Sequence, residues 1–153
     1  NVANLVPVNE PDDKLHGTSA AIEFAIKHLG VKHVVVLGHS QCGGIKSLME
    51  GDHLGHDYAF IDPWMKIASG TREKVLKEYA DATFDAQCRA CETASIENSL
   101  QNLMTFPWIK QRYDAGQLFV HGWYFDIGSG RLLGKQGDDF IPVSELAVAN
   151  AGV

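Results

Sequence analysis

Four adjacent apolar residues, Val34-Val-Val-Leu37, lead directly into Gly38-His-Ser-Gln-Cys-Gly-Gly44, and Ile45 to Met49 then opens a helix. A short, continuous, β-branched run is the pattern of a strand covered on both faces in a parallel sheet. Strand, glycine-rich turn and helix in that order form the unit from which α/β sheets are built, so this segment constrains the fold more than any other. It also marks a functional position. Backbone N–H groups converge where a buried strand ends and a helix begins, and sheet proteins commonly place ligands there.

The rest of the chain is consistent with that frame. Val2 to Val6 is apolar and strand-like. After the Pro7 to Asp13 loop, Leu15, Ser19, Ile22, Ile26 and Leu29 recur at helical spacing, with Gly30 as the stop signal. Gly51 to Tyr58 is a polar loop carrying His53 and His56. Phe60 to Ala68 and Thr71 to Tyr79 predict two helices separated by Ser69-Gly70. In a longer helix Phe84, Cys88, Cys91, Ser95, Ile96, Ser99, Leu100 and Leu103 fall on one face, and Pro107 marks its end or the start of the next. Leu118 to Phe125 predicts a strand that turns near Gly128 to Gly130 into a short partner, Arg131 to Leu133, and Pro142 to Val153 is weakly helical. No repeat or linker interrupts this order. The expected fold is therefore one α/β domain over 1–153, with a central, mainly parallel sheet flanked by helices.

Charge and cysteine usage exclude several function classes. The chain has 153 residues and a formal net charge of −6, with no basic stripe to neutralise phosphates, so nucleic acid is not an expected partner. No run approaches the roughly 18 apolar residues of a membrane helix, and no membrane partner is expected. Three cysteines suit no secreted disulfide framework and point to thiols kept reduced, in the cytoplasm or an equivalent reducing compartment.

The chemistry-bearing candidates lie in the glycine-rich turn. His39 and Cys42 stand three residues apart, and imidazole and thiolate can both reach one metal across a tight turn. A thiolate at a helix N-terminus is stabilised by the unpaired amides there and suits a borderline-soft cation such as zinc. Gly43 and Gly44 leave backbone amides beside that position open to an anionic oxygen. A lone H-x-x-C is equally the mark of a buried cysteine beside a surface histidine. A phosphate loop is disfavoured, because no Gly-Lys-Ser/Thr follows and no G-x-G-x-x-G is present. Elsewhere, Cys88 and Cys91 read as buried thiols on an apolar helical face and His121 as a satisfied sheet histidine. Asp62 reads as a helix cap before Pro63, and Trp64 and Trp123 as core or interface residues. His53 and His56 suit either a solvated loop or proton transfer.

Wider wording adds to this reading. Asn1-Val-Ala-Asn-Leu-Val6, Gly17-Thr-Ser-Ala-Ala-Ile-Glu23, Val34 to Ile45, Asp62-Pro-Trp-Met-Lys66 and Ser99-Leu-Gln-Asn-Leu-Met-Thr-Phe-Pro107 together resemble the β-class carbonic anhydrases, in that order and over essentially the whole chain. Gly38 to Gly44 resembles the plant-type branch, in which two Cys and one His hold zinc. The resemblance implies Zn²⁺ as cofactor, with His39 and Cys42 as two of its three protein ligands. It implies Val2 and Phe24 as apolar walls of the CO₂ pocket, Phe24 standing where plant relatives carry Tyr, and the Gly43 amide near the substrate oxygen. The implied reaction is the hydration of CO₂ to bicarbonate and a proton, by water whose pKa zinc lowers from about 16 to about 7. A homo-oligomer, dimer or tetramer, is the implied assembly.

The sequence departs from the family pattern at one point. The first zinc Cys is expected in a Cys-x-Asp-Ser-Arg motif ahead of Asn1, and its Asp/Arg pair is absent from these residues with it. The chain therefore reads as the larger, C-terminal part of such an enzyme, N-terminally truncated. Three expectations stay open: an active zinc enzyme in its longer form, a cleaved N-terminal segment that remains docked as a partner, and a non-catalytic assembly or anion-binding subunit.

Overall fold

The computed structural model describes residues 1–51 and 58–146. Its sheet has four strands, β1 (His33–His39), β2 (Phe119–Asp126), β3 (Arg131–Gln136) and β4 (Asp139–Pro142), in the spatial order β1-β2-β3-β4. β1 and β2 are parallel, with Val36 opposite Gly122 and Gly38 opposite Tyr124. All the intervening helices belong to their crossover, the long connection that parallel pairing requires. The remaining pairings are antiparallel. Asp126 closes the β2–β3 turn by accepting from the Gly128 N–H at 3.2 Å and the Ser129 hydroxyl at 2.6 Å. A tight turn containing Gly137, at φ 61°, returns β3 into β4. The α/β architecture is thus the expected one, whereas the sheet is mixed instead of mainly parallel. Short turns at its C-terminal end leave no room for crossovers, and β4 extends the sheet beyond the expected β2–β3 pair.

The helices are α1 (Gly17–Glu23), continued by a π-helical turn at Phe24–His28, α2 (Gly43–Glu50), α3 (Ile61–Met65), α4 (Ser69–Glu78), α5 (Phe84–Leu103) and α6 (Pro107–Asp114). α3 and α4 are linked by a 3-10 turn at Lys66–Ala68, so Ser69-Gly70 opens α4 rather than separating two helices. Asp62 does not cap α3. It lies in the first turn, where a carboxylate faces the positive end of the helix, and Phe60 occupies the cap. α5 is the long helix its periodicity predicts, started by Thr83, whose hydroxyl accepts from the Ala86 N–H at 3.3 Å.

α5 lies on the β1–β2 pair. Gly38 and Gly122 let it approach: a β-carbon at Gly122 would stand 3.0 Å from Ile96 Cγ2 and from Leu100 Cδ1. Val36, Ile96, Leu103, Phe106, Ile109, Leu118 and Tyr124 bury one core between them. Among the described residues the opposite face of β1 is not covered. Val35 is 39% and Leu37 51% exposed, so the expectation of a strand covered on both faces is not met by this chain.

The N-terminal segment also departs from expectation. Val2–Asn4 is a 3-10 turn with Ala3 and Asn4 in the left-handed region, at φ 57° and 51°, not a strand. Side chains on α5 supply the hydrogen bonds that a neighbouring strand would otherwise provide. Ser99 donates to the Asn4 carbonyl at 2.9 Å and accepts from the Val6 N–H at 3.1 Å, while Asn102 donates to the Val6 carbonyl at 2.8 Å. This explains why Ser99 shares a helical face with Ile96 and Leu103 and is fully buried there.

Candidate metal centre

The turn from His39 to Cys42 leaves the C-terminal end of β1 and enters α2. Ser40, 2% exposed, ties it to β2 through two bonds. Its N–H donates to the Phe125 carbonyl at 2.9 Å, and its hydroxyl accepts from the Ile127 N–H at 2.8 Å. Gln41 takes a left-handed conformation, φ 58°, which sets the reversal between strand and helix. Cys42 is the N-cap residue of α2, its carbonyl accepting from the Lys46 N–H at 2.9 Å and its side chain making no capping bond.

His39 is exposed at the end of β1, and its Nδ1 lies 2.9 Å from the Ser40 carbonyl. A carbonyl only accepts, so Nδ1 carries a proton, and in the neutral imidazole Nε2 then keeps its lone pair, the arrangement in which imidazole serves as a metal ligand. Cys42 is 6% exposed and packs with Ile45, Met49, Val75 and Cys91. These two donors fit zinc chemistry by type and by place. Among the described residues no set of three His, Cys, Asp or Glu side chains is arranged to hold a metal, and a catalytic zinc site takes three protein ligands.

Two residues that the sequence reading passed over complete the surroundings. Glu92, on α5 and only 4% exposed, accepts from the Cys42 N–H at 3.0 Å through Oε1 and from the Tyr124 hydroxyl at 2.7 Å through Oε2. Burial, then this hydrogen bond, holds the Tyr124 hydroxyl well above the usual phenol range, so it stays a donor. A signal for Glu92 existed in the sequence: it falls on the same helical face as Cys88, Ser95 and Ile96, where a carboxylate has no place without partners.

The other candidates divide. Gly43 is the first residue of α2 and is exposed, with nothing within 4 Å of where a β-carbon would stand. Val2 borders the same helix start, since its Cγ1 would lie 3.4 Å from a β-carbon at Gly44. Phe24 is 55% exposed, stacks on His28 with centroids 4.7 Å apart, and is not among the side chains packed around Cys42. Cys91 is fully buried and its thiol is pushed up to about 12, by burial first and then by Cys88 and Glu92. Cys88 is shifted upward too, again chiefly by burial, but it is only partly buried, so the expectation of a buried thiol is met by Cys91 and not by Cys88. His121 pairs with His33 at 3.0 Å on the exposed face of the β1–β2 pair, and burial, then His33, lowers its pKa. Trp64 donates to the Val2 carbonyl at 2.9 Å. His53 and His56 lie outside the described residues.

A family model described as carbonic anhydrase matches residues 1–132. The chain belongs to the carbonic anhydrase family. Its relatives place it in the β class, in the plant-type branch. Beta carbonic anhydrase 5, chloroplastic, of Arabidopsis thaliana is 39% identical over 127 residues, covering 83% of this chain and 42% of the relative. Beta carbonic anhydrase 6, mitochondrial, of the same plant is 38% identical over 135 residues, covering 86% and 45%. The chain thus spans less than half the length of these relatives. Among solved structures, the β-carbonic anhydrase CcaA superposes with a TM-score of 0.86 at 30% identity, over 93% of this chain and 69% of that one. A structure from a study of two tetrameric β-carbonic anhydrases of Sordaria macrospora gives 0.75 at 30% identity, over 88% and 64%. The turn that carries His39 and Cys42 falls inside the family match, as do Glu92 and Tyr124.

Proposed function

We propose that the protein is a zinc carbonic anhydrase, interconverting CO₂ and water with bicarbonate and a proton. His39 Nε2 and the Cys42 thiolate would hold the metal, together with a donor from outside the described residues. The observation that carries this reading is the anchored turn itself: in a chain of this family, an imidazole with its Nε2 free and a thiol stand at the junction of β1 and α2. Zinc, when bound, supplies the Lewis acidity that makes water nucleophilic near neutral pH.

The chain's own residues supply the rest. The Gly43 amide, in the first turn of α2, has no acceptor within its helix and can donate to the oxygen that becomes negative as CO₂ turns into bicarbonate. Val2 contributes an apolar wall beside the helix start, and Phe24 is proposed as the second wall. The Ser40 carbonyl keeps the His39 tautomer fixed throughout the cycle. A homo-oligomer, dimer or tetramer, is the proposed assembly, supported by the exposed apolar face of β1 and by the tetrameric relatives from Sordaria. A reducing compartment, cytoplasmic or equivalent, suits the three free thiols.

The reading is tested by following CO₂ hydration in the natural-length protein. Fast, zinc-dependent hydration is expected. A protein that binds bicarbonate but does not accelerate its formation would instead be a non-catalytic anion-binding subunit.

A further inference from the structure

Among the described residues Glu92 is the one buried Asp, Glu, Lys or Arg, 4% exposed. Taking a carboxyl out of water is costly, and it is held here by two donors, one on each oxygen. The Cys42 N–H meets Oε1 at 3.0 Å and the Tyr124 hydroxyl meets Oε2 at 2.7 Å. Tyr124 stands opposite Gly38 in the β1–β2 register, so the carboxyl links β2, the neighbour of the strand that delivers the turn, to the N-cap residue of the helix that leaves it. One turn further along α5, Ser95 donates to the Glu92 carbonyl at 2.8 Å and lies 3.4 Å from Asn4 Nδ2.

The turn is consequently anchored to two different elements. Ser40 is fixed to the end of β2, and Cys42 is fixed to α5. Between them stands Gln41 at φ 58°, a conformation that a side chain bearing a β-carbon adopts only when its surroundings enforce it. The Cys42 carbonyl accepts from the Lys46 N–H, so the Glu92 bond fixes the other backbone polar group of the residue from which the thiol projects.

We infer that Glu92 is a positioning residue for the metal centre: by accepting from the Cys42 N–H, and itself oriented by the Tyr124 hydroxyl, it holds the Cys42 thiolate where a metal ion needs it. The inference rests on the proposed metal role of His39 and Cys42. Glu92 touches neither metal nor substrate, and acts through the backbone of Cys42 alone.

The test uses Co²⁺ as the probe in the natural-length protein, with affinity measured by chelator competition and thiolate coordination by the cobalt absorption spectrum. Glu92→Leu removes the acceptor and is expected to weaken cobalt binding by about ten- to a hundredfold and to alter the spectrum. Glu92→Gln keeps an acceptor oxygen for the Cys42 N–H and is expected to restore affinity to within about threefold of the parent, against the full loss in Glu92→Leu. If Glu92→Leu does not fold, Glu92→Asp decides. Its arm is shorter by one methylene, so weaker binding supports the role. Leu or Asp variants that bind cobalt with parental affinity and spectrum overturn it. A parent protein that takes up no cobalt at all would instead sink the metal-centre reading on which it stands.

Discussion

Gly38 faces Ile96 so closely that a β-carbon added to it would lie 2.8 Å from Ile96 Cδ1 and 2.9 Å from Cγ1. The residue immediately before His39 is thus a point of close approach between α5 and β1, and the packing that stabilises the domain also fixes the level at which the His39 to Cys42 turn begins. A methyl group there forces Ile96 out of its rotamer or the helix away from the sheet.

Gly38→Ala is therefore expected to destabilise the protein by about 1–3 kcal/mol, the usual cost of overpacking a closed core. Gly70→Ala, in α4, meets nothing within 4 Å and is expected to be neutral or to stabilise by up to about 1 kcal/mol. Urea unfolding of the two variants beside the parent checks the pair. Equal midpoints for both variants would show that the Gly38–Ile96 contact does not matter.

Alkaline stability follows from Cys91. Its folded pKa, about 12, exceeds its ordinary value of 9.0, so above pH 9.0 the unfolded chain loses a proton that the folded chain retains. The unfolded state then binds fewer protons, and stability falls as pH rises from 9.0 to about 12, by up to about 1.4 kcal/mol per pH unit. The raised Tyr124 adds a limb of the same sign starting from its own ordinary value of 10.0. Unfolding midpoints measured across this range should decline, and Cys91→Ala should flatten the first part of the decline. A flat profile in the parent would contradict the burial assigned to this thiol.

Self-association is the third expectation. Val35 and Leu37 on β1, with Phe119 and Phe125 on β2, present exposed apolar side chains on one face of the sheet, and such a patch favours partners. Sedimentation of the 153-residue chain should show dimers or larger species, and Leu37→Glu should raise the dissociation constant at least about tenfold, or about 1.4 kcal/mol. A parent that stays monomeric at high concentration would rule this surface out as an interface.

Much of the fold was legible because it rests on local patterns. The β-branched run gave β1, and the helical recurrence from Phe84 to Leu103 gave α5. The His39 and Cys42 pair stood out because two metal-binding residue types shared a glycine-rich turn. What escaped depends on contacts between distant residues. Ala3 and Asn4 turn where their apolar neighbours suggested a strand, because Ser99 and Asn102, more than ninety residues away, take up the backbone bonds. Glu92 escaped for the same reason: its partners are Cys42 and Tyr124, fifty and thirty-two residues distant. β4 is short, and its pairing with β3 depends on one turn at Gly137.

The central claim, that His39 and Cys42 hold a catalytic zinc, is tested most directly by metal analysis of the natural-length protein and its Cys42→Ser and His39→Ala variants. The parent is predicted to carry about one zinc per chain, and each variant to lose it together with at least about a hundredfold of CO₂ hydration. Variants that keep both zinc and activity would contradict the claim.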